Sequence, residues 1–467
     1  MTENKTKWTA VFLTFLVIQI CSISTVFCAL SKPEISELND FKIKFQENVN
    51  INRIGYLVMI QLTQTLDNDD RVLKSTGRFY FSSEDGYLVH VDIARLMRLK
   101  SDGVSFKILD KKLLDDHSES WYLLYSESSD MTKNIQEKFE PLYTKGRVML
   151  VRIRPSDQPK LLSSRIIHQL IDEELLPPRT GVKEFKIKLG GVNPDIIQLI
   201  SKVSVLKLVE TVQTLQDFQT RFVTTDGNAS TVAWLKDEFG KIPGLKNIPS
   251  LFHASMFLTE NVIFEKTGIL EPKTAFIVMA HIDSTASGAG DKAPGADDNG
   301  TGAAAMLEIA RLLEGVDLPY TVYFVGANAE EIGLVGSAAF AKELAKQPDI
   351  NIKAVFNMDM LADIDDNEAA AIGDDRSKWL VDLFKEVALI YAGLNCKPVI
   401  DSSLAVSDHA SFWNIGVPAL FTREGHPGLS PYYHSIKDTV TNLAPTLLEK
   451  IAKANLATLL ILNTPMN

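Results

Sequence analysis

The chain has 467 residues, 45% of them hydrophobic and 23% charged, which suits a globular protein of two or three domains with a sizeable core. Its formal net charge of −11 argues against general nucleic-acid binding, which needs basic surface. Cys21 and Cys28 lie near the N-terminus, so Cys396 alone would remain in a trimmed chain and no internal disulfide is expected.

Lys5 and Lys7 precede an apolar stretch from Thr9 to Leu30 that holds Val11-Phe12-Leu13 and Phe15-Leu16-Val17-Ile18. A basic start, an apolar core and the small residues Val26 and Cys28 predict a signal peptide over 1–28. An uncleaved anchor is the alternative; Thr14, Gln19, Ser22, Ser24 and Thr25 weaken it. Residues 33–155 read as a small α+β domain, accessory or propeptide-like. Tyr87–Val91 alternates like a strand, Asp92 caps a short helix through Leu99, and Val104–Leu109 and Arg147–Ile153 are again strand-like. No catalytic residue types cluster there. A linker over 156–194 carries Pro177, Pro178 and Gly181, the punctuation of a boundary and an exposed site for processing. Inhibition by 33–155 until cleavage near Pro177-Pro178 is therefore an expectation.

The third domain spans 195–467. Helical spacing begins with Ile196, Ile197, Leu199 and Ile200. Thr274–Ala280 is a continuous apolar run, as in a buried parallel strand. A helix follows over Gly302–Leu313, with Met306, Ile309, Ala310 and Leu313 on one face and Gly315 as its stop. Then come a strand over Tyr320–Gly326, a helix over Ser337–Leu344, a strand over Ile352–Phe356 and a strand over Val417–Phe421. This alternation predicts an α/β fold, a mostly parallel central sheet flanked by helices.

In such sheets ligands bind beyond the carboxyl ends of the strands. The first strand ends on His281-Ile282-Asp283-Ser284, the second on Glu330-Glu331, the third on Asn357-Met358-Asp359. Between them a glycine-rich turn presents Asp297 and Asp298 at a helix start. His434 supplies a second imidazole. Taken singly, each segment has a plainer explanation: a surface pair, a solvated Glu-Glu, a turn, a strand-end cap. Their combination in one α/β order is what points to metal chemistry. Imidazole nitrogen and carboxylate oxygen suit zinc, and five protein ligands exceed the three usual at one catalytic zinc. Two ions sharing a bridging carboxylate, about 3.5–4 Å apart, are the simplest solution.

The same residues resemble the M28 zinc peptidases, especially secreted bacterial leucyl aminopeptidases, over roughly 195–465. The likeness runs from Phe218–Phe222, Thr224-Thr225 and Trp234 through His281, Asp283, Ser284, Pro294–Asp298, Ala329–Leu334, Gly336-Ser337 and Asp359. It ends on Ser407–Ser411 and on His434 with Asp438-Thr439. The resemblance implies a zinc exopeptidase fold and two Zn2+ ions per chain. His281 and Asp359 would bind one ion, Glu331 and His434 the other, and Asp298 would bridge both. Glu330 would be the general base, Asp283 would orient His281, and Tyr433 would steady the tetrahedral intermediate. Ser407, Asp408 and His409 would be structural or would support the ligands from behind, and His409 would be no ligand. Peptides with a free N-terminus would be the substrates, with no nucleic acid and no stable membrane association once the signal is cleaved. Rival readings are a carboxypeptidase, dipeptidase or glutaminyl cyclase of the same fold, and a non-catalytic receptor or complex subunit. Met360 would line an apolar pocket. Arg423 reads first as a rim residue facing solvent; pointed inward, it would favour acidic or polar side chains over leucine. Of two glycosylation sequons, Asn299 lies inside the metal loop and would stay unmodified, leaving Asn228 as the acceptor.

Overall fold

The computed structural model describes segments of residues 54–171 and most of 191–464, the exceptions in the latter being 255–256, 287–291, 363–366 and 426–429. The expected signal peptide and the Pro177-Pro178 boundary lie outside the described residues. A small unit of residues 1–55 with 112–115 separates from the rest of the chain; of it, only Ile54, Gly55, Lys112 and Leu113 are described.

The first sheet comprises β1 (Ile54–Gln61), β2 (Arg78–Ser83), β3 (Gly86–Asp92) and β4 (Phe106–Leu113), with helix α1 (Ile93–Ser101) after β3. The second comprises β5 (Ser120–Tyr125), β6 (Pro141–Lys145), β7 (Val148–Ile153) and β8 (Ile167–Ile171), with α2 (Ser129–Lys138) after β5. Their strand orders, β2-β3-β1-β4 and β6-β7-β5-β8, are the same permutation, the order of a βαββαβ ferredoxin-like unit. The alternation of β1 explains its burial on two sides. Val58 and Ile60 meet Val89, Val91, Leu96 and Leu99 in one cluster. Leu57 and Met59 belong to another, which also holds Trp121, Phe340, Phe412 and Trp413.

Helices α3 (Pro194–Ile200), α4 (Val205–Asp217) and α5 (Asp226–Gly240) come next. Ser204 caps α4 by accepting from Lys207 N, and Thr225 caps α5 by accepting from Asn228 N. The strands that follow are β9 (Lys246–Ile248), β10 (Leu251–Ala254), β11 (Phe257–Glu260), β12 (Val262–Lys266) and β13 (Glu271–His281). Strands β10 and β11 form a separate antiparallel hairpin. The alternation then runs α6 (Gly302–Leu312), β14 (Tyr320–Ala327), α7 (Val335–Ala345), β15 (Asn351–Met358), β16 (Glu368–Gly373), α8 (Lys378–Ala392), β17 (Asn395–Ile400), α9 (His409–Asn414), β18 (Ala419–Glu424) and α10 (Pro445–Leu462).

Eight of these strands make the main sheet, ordered β17-β16-β18-β15-β13-β14-β12-β9. The four at its centre, β18, β15, β13 and β14, are mutually parallel. Antiparallel pairings join β16 to β18 and β12 to β14. Mostly parallel is thus correct at the centre, where β14 is buried along its whole length. The last strand begins at Ala419 rather than Val417, because Pro418 has no N–H to give a ladder. Register sets the site: His281 lies opposite Ala327, and Met279 opposite Asn357. The ends of β13, β14 and β15 therefore meet at one edge. Among the described residues, no helix is long and apolar enough to cross a membrane.

Candidate metal centre

His281 closes β13, Glu330 and Glu331 follow β14, and Asp359 follows β15. Asp298 sits in the turn of Ala296–Thr301 that leads into α6, and the Asp298–Asn299 peptide is cis. Gly295 has φ 54, a left-handed conformation that favours glycine, and a Cβ there would crowd Ser284 and Arg221. His434 reaches the same place from the segment before α10.

The structure brings all five expected ligands together. His281 Nε2 lies 3.1 Å from Asp298 Oδ1 and 3.2 Å from Asp359 Oδ1. His434 Nε2 lies 3.1 Å from Asp298 Oδ2 and 2.9 Å from Glu331 Oε2. Asp298 thus turns one oxygen to each imidazole. Donor atoms of His281, Asp298 and Asp359 lie within 4.8 Å of one another, as do those of Asp298, Glu331 and His434 and those of His281, Glu330 and Glu331.

Buried carboxylates dominate the electrostatics. Burial raises Glu331 to about 7 despite the neighbouring His434, and raises Glu330 well above the usual carboxylate range, helped by Glu331. Burial works against a charged His434, yet Glu331 and Asp298 lift it to about 10. A cluster this acidic attracts positive charge, and a divalent cation satisfies it with fewer particles than protons do. Glu331 Oε1 is buried and accepts no hydrogen bond. A nitrogen-and-oxygen donor set with an open buried oxygen fits zinc.

The surrounding contacts assign further work. The Asp283 carboxylate accepts from the amides of Glu330 and Glu331, each at 3.1 Å. His281 Nδ1 approaches the Asp283 carbonyl at 3.2 Å and its carboxylate at 3.6 Å. The Asp283 carboxylate thus anchors the Glu-Glu turn, while its backbone carbonyl is the atom nearer the imidazole. Ser407 donates to Asp359 Oδ2 at 2.7 Å. The Tyr433 ring stacks on His434 with centroids 3.7 Å apart. His409 is fully buried, stacks on Phe421 and gives Nε2 to the Leu404 carbonyl at 2.9 Å. It lies outside the cluster, and burial lowers its pKa to about 3.

Two residues quoted above only within the resemblance matter here. Asp438 accepts from the amides of Asp297 and Asp298 at 2.8 and 3.0 Å. Arg221, fully buried, gives its guanidinium to the carbonyls of Ile282, Pro294 and Gly295. Neither role has a local sequence signal beyond the spacing of Asp438 one turn after His434.

Two expectations need correction. Asn228 is not an available glycan acceptor: it is 2% exposed, and its Nδ2 donates to Arg221 O and Asn328 Oδ1. Asn299 is fully buried, its Nδ2 donating to Met358 O. Arg423 is not a solvent-facing rim residue. Its side chain is 14% exposed and pairs with Glu424 at 3.1 Å. Met360 is buried beside Asp359, with φ 55.

Comparison with known proteins places this arrangement. A profile of peptidase family M28 matches residues 261–459. The segment that holds the site is thus similar to that family. Among curated relatives, a probable leucine aminopeptidase of Arthroderma otae is 29% identical over 262 residues, covering 52% of this chain and 69% of the relative. A probable aminopeptidase of Saccharomyces cerevisiae is 28% identical over 286 residues, 57% of this chain and 73% of the relative. Of solved structures, the LapA aminopeptidase of Legionella pneumophila superposes with a TM-score of 0.62 at 18% identity, covering 75% of this chain and 99% of that one. LapB of the same organism gives 0.58 at 18% identity, covering 74% and 100%. At these identities the likeness is one of fold, and it takes in more of this chain than the family profile does.

Proposed function

We propose that this chain is a zinc-dependent aminopeptidase of the M28 type that removes the first residue from peptides with a free N-terminus. The observation that carries the reading is the Asp298 carboxylate, turned with one oxygen to each imidazole at 3.1 Å. Asp359 completes one donor set and Glu331 the other. Relatives named as aminopeptidases support the same class. Zinc held by these residues supplies Lewis acidity, polarising a carbonyl oxygen and making water a better nucleophile.

The chain's own groups do the rest. Glu330, beside Glu331 but outside the bridged sets, takes the proton of the attacking water on its carboxylate and delivers it to the leaving amine. Asp283 holds the amides of Glu330 and Glu331, so the two carboxylates leave the backbone from fixed points. Tyr433, stacked on His434, donates to the carbonyl oxygen as it gains charge. Largely buried surroundings exclude bulk water and strengthen each of these contacts. Residues 1–28 act as an export signal in this reading, on their basic-then-apolar order.

Zinc content per chain, with hydrolysis of aminoacyl-anilides bearing free or acetylated N-termini, tests the proposal. Expected are a pair of zinc ions, chelator-sensitive cleavage of the free substrates alone, and a loss of about 100- to 10,000-fold in Glu330→Ala with zinc retained. Full activity in zinc-free protein, or equal cleavage of acetylated substrates, overturns it.

A further inference from the structure

Asn328 stands between the end of β14 and Glu330, fully buried. Its side chain uses all its hydrogen-bonding capacity. Oδ1 accepts from the Ala329 amide at 2.9 Å and from Asn228 Nδ2 at 2.8 Å. Nδ2 donates to Asn228 Oδ1 and Thr259 Oγ1, each at 3.0 Å, with Glu260 O at 3.2 Å. Two primary amides therefore face each other reciprocally. Turning the Asn328 amide over would set its NH2 against the Ala329 N–H, so one orientation is fixed.

The pair sits where the backbone needs holding. Ala329 has φ 61, a left-handed conformation that residues with a Cβ rarely adopt. The turn that follows closes on itself: Val335 N donates to Ala329 O, and Gly336 N to Asn328 O. Asn261 Oδ1 accepts from Asn328 N at 2.9 Å, and Asn261 Nδ2 donates to Gly336 O at 2.9 Å. From Asn228 the chain of bonds continues to the Arg221 carbonyl at 2.8 Å, and from the Arg221 guanidinium to Pro294 and Gly295. The loop of Glu330 and the loop of Asp298 thus hang from one buried network.

We propose that the Asn228–Asn328 amide pair is a positioning element of the reaction, fixing the Ala329 turn so that the Glu330 carboxylate meets the attacking water. This rests on the reading of Glu330 as general base. Only a primary amide offers a donor and an acceptor side by side at this point. An aspartate at 328 keeps the shape and the acceptor for Ala329 N but faces Asn228 Oδ1 and Glu260 O with a carboxylate oxygen.

The test is Asn328→Asp in the full-length, zinc-loaded protein, in both the unaltered and the Glu330→Gln backgrounds. In the unaltered background kcat falls about 10- to 100-fold while KM and zinc content stay within about twofold. In the Glu330→Gln background the further loss disappears, because a group acting through Glu330 has nothing left to position. The same loss in both backgrounds, or a change confined to KM or zinc content, overturns the proposal. Thr259→Val, which removes one Nδ2 partner at the half-buried edge of the pair, serves if Asn328→Asp does not fold. Its smaller kcat loss must likewise vanish with Glu330→Gln. Should Glu330→Gln keep full activity, the base assignment itself fails, which is read separately from the effect at Asn328.

Discussion

His409 offers a test of burial that is independent of the metal centre. Its ring is stacked on Phe421 at 4.7 Å and set edge-on to Trp413 at 4.4 Å, with Nε2 given to Leu404 O. Asn357 Nδ2 lies 3.5 Å from the other ring nitrogen. The folded protein therefore holds this imidazole neutral, with a pKa near 3. In the unfolded chain its pKa is the ordinary 6.5. The sign follows from proton counts: below pH 6.5 the unfolded state takes a proton that the folded state refuses. Stability is thus lost as the pH falls from about 6.5 toward 3, by about 1.4 kcal/mol per unit. Between pH 6.5 and 5 this amounts to about 2 kcal/mol. His409→Phe keeps the stacking but strands Leu404 O, at a cost of about 1–3 kcal/mol at every pH. Urea unfolding of both proteins in chelator at pH 7, 6 and 5 reads the difference, and other titrating groups cancel between them. The stability gap is expected to narrow by about 2 kcal/mol at pH 5. A gap that stays constant across this range refutes the buried neutral imidazole.

Two further outcomes follow from the contacts around the site. Asp438→Asn removes one of the two oxygens that hold the Asp297 and Asp298 amides. It should weaken zinc binding about 10- to 100-fold, read by competition with a chelator; unchanged affinity would detach Asp438 from the bridging loop. Arg423→Leu should raise the ratio of Leu- to Glu-anilide cleavage by about tenfold, since the guanidinium is largely buried and faces Asp359 and Asp297. An unchanged ratio removes Arg423 from the substrate pocket.

What the sequence reveals follows the reach of each signal. The apolar run before His281 and the spacing of Met306, Ile309 and Ala310 are local patterns, so α6 is legible to within one residue and β13 to within three. Glu331 and Asp359 are legible because a parallel sheet brings its strand ends to one edge. Groups that act by accepting backbone amides leave no such pattern. Asp283 and Asp438 are carboxylates like any other until the fold delivers N–H groups to them. A charged residue reads as surface, which is why Arg221 goes unassigned and Arg423 is placed at the rim. Asn228 fits a sequon, but its burial is decided by Arg221 and Asn328, both outside that tripeptide. Strand β16, rich in alanine, has a composition suited to helix and is held extended by β17 and β18. The common strand order of the two N-terminal sheets has no counterpart repeat in their residues.

The five proposed ligands come from five separate segments between His281 and His434, joined only when the parallel strands β13, β14 and β15 have paired. Such pairings close long loops and form late, after much of the chain has ordered. In a zinc finger the metal drives folding, because its ligands are neighbours in a short chain. Here the order is reversed: the sheet edge must exist before any ion can be held. In the proposed reading, metal uptake reports on completed assembly.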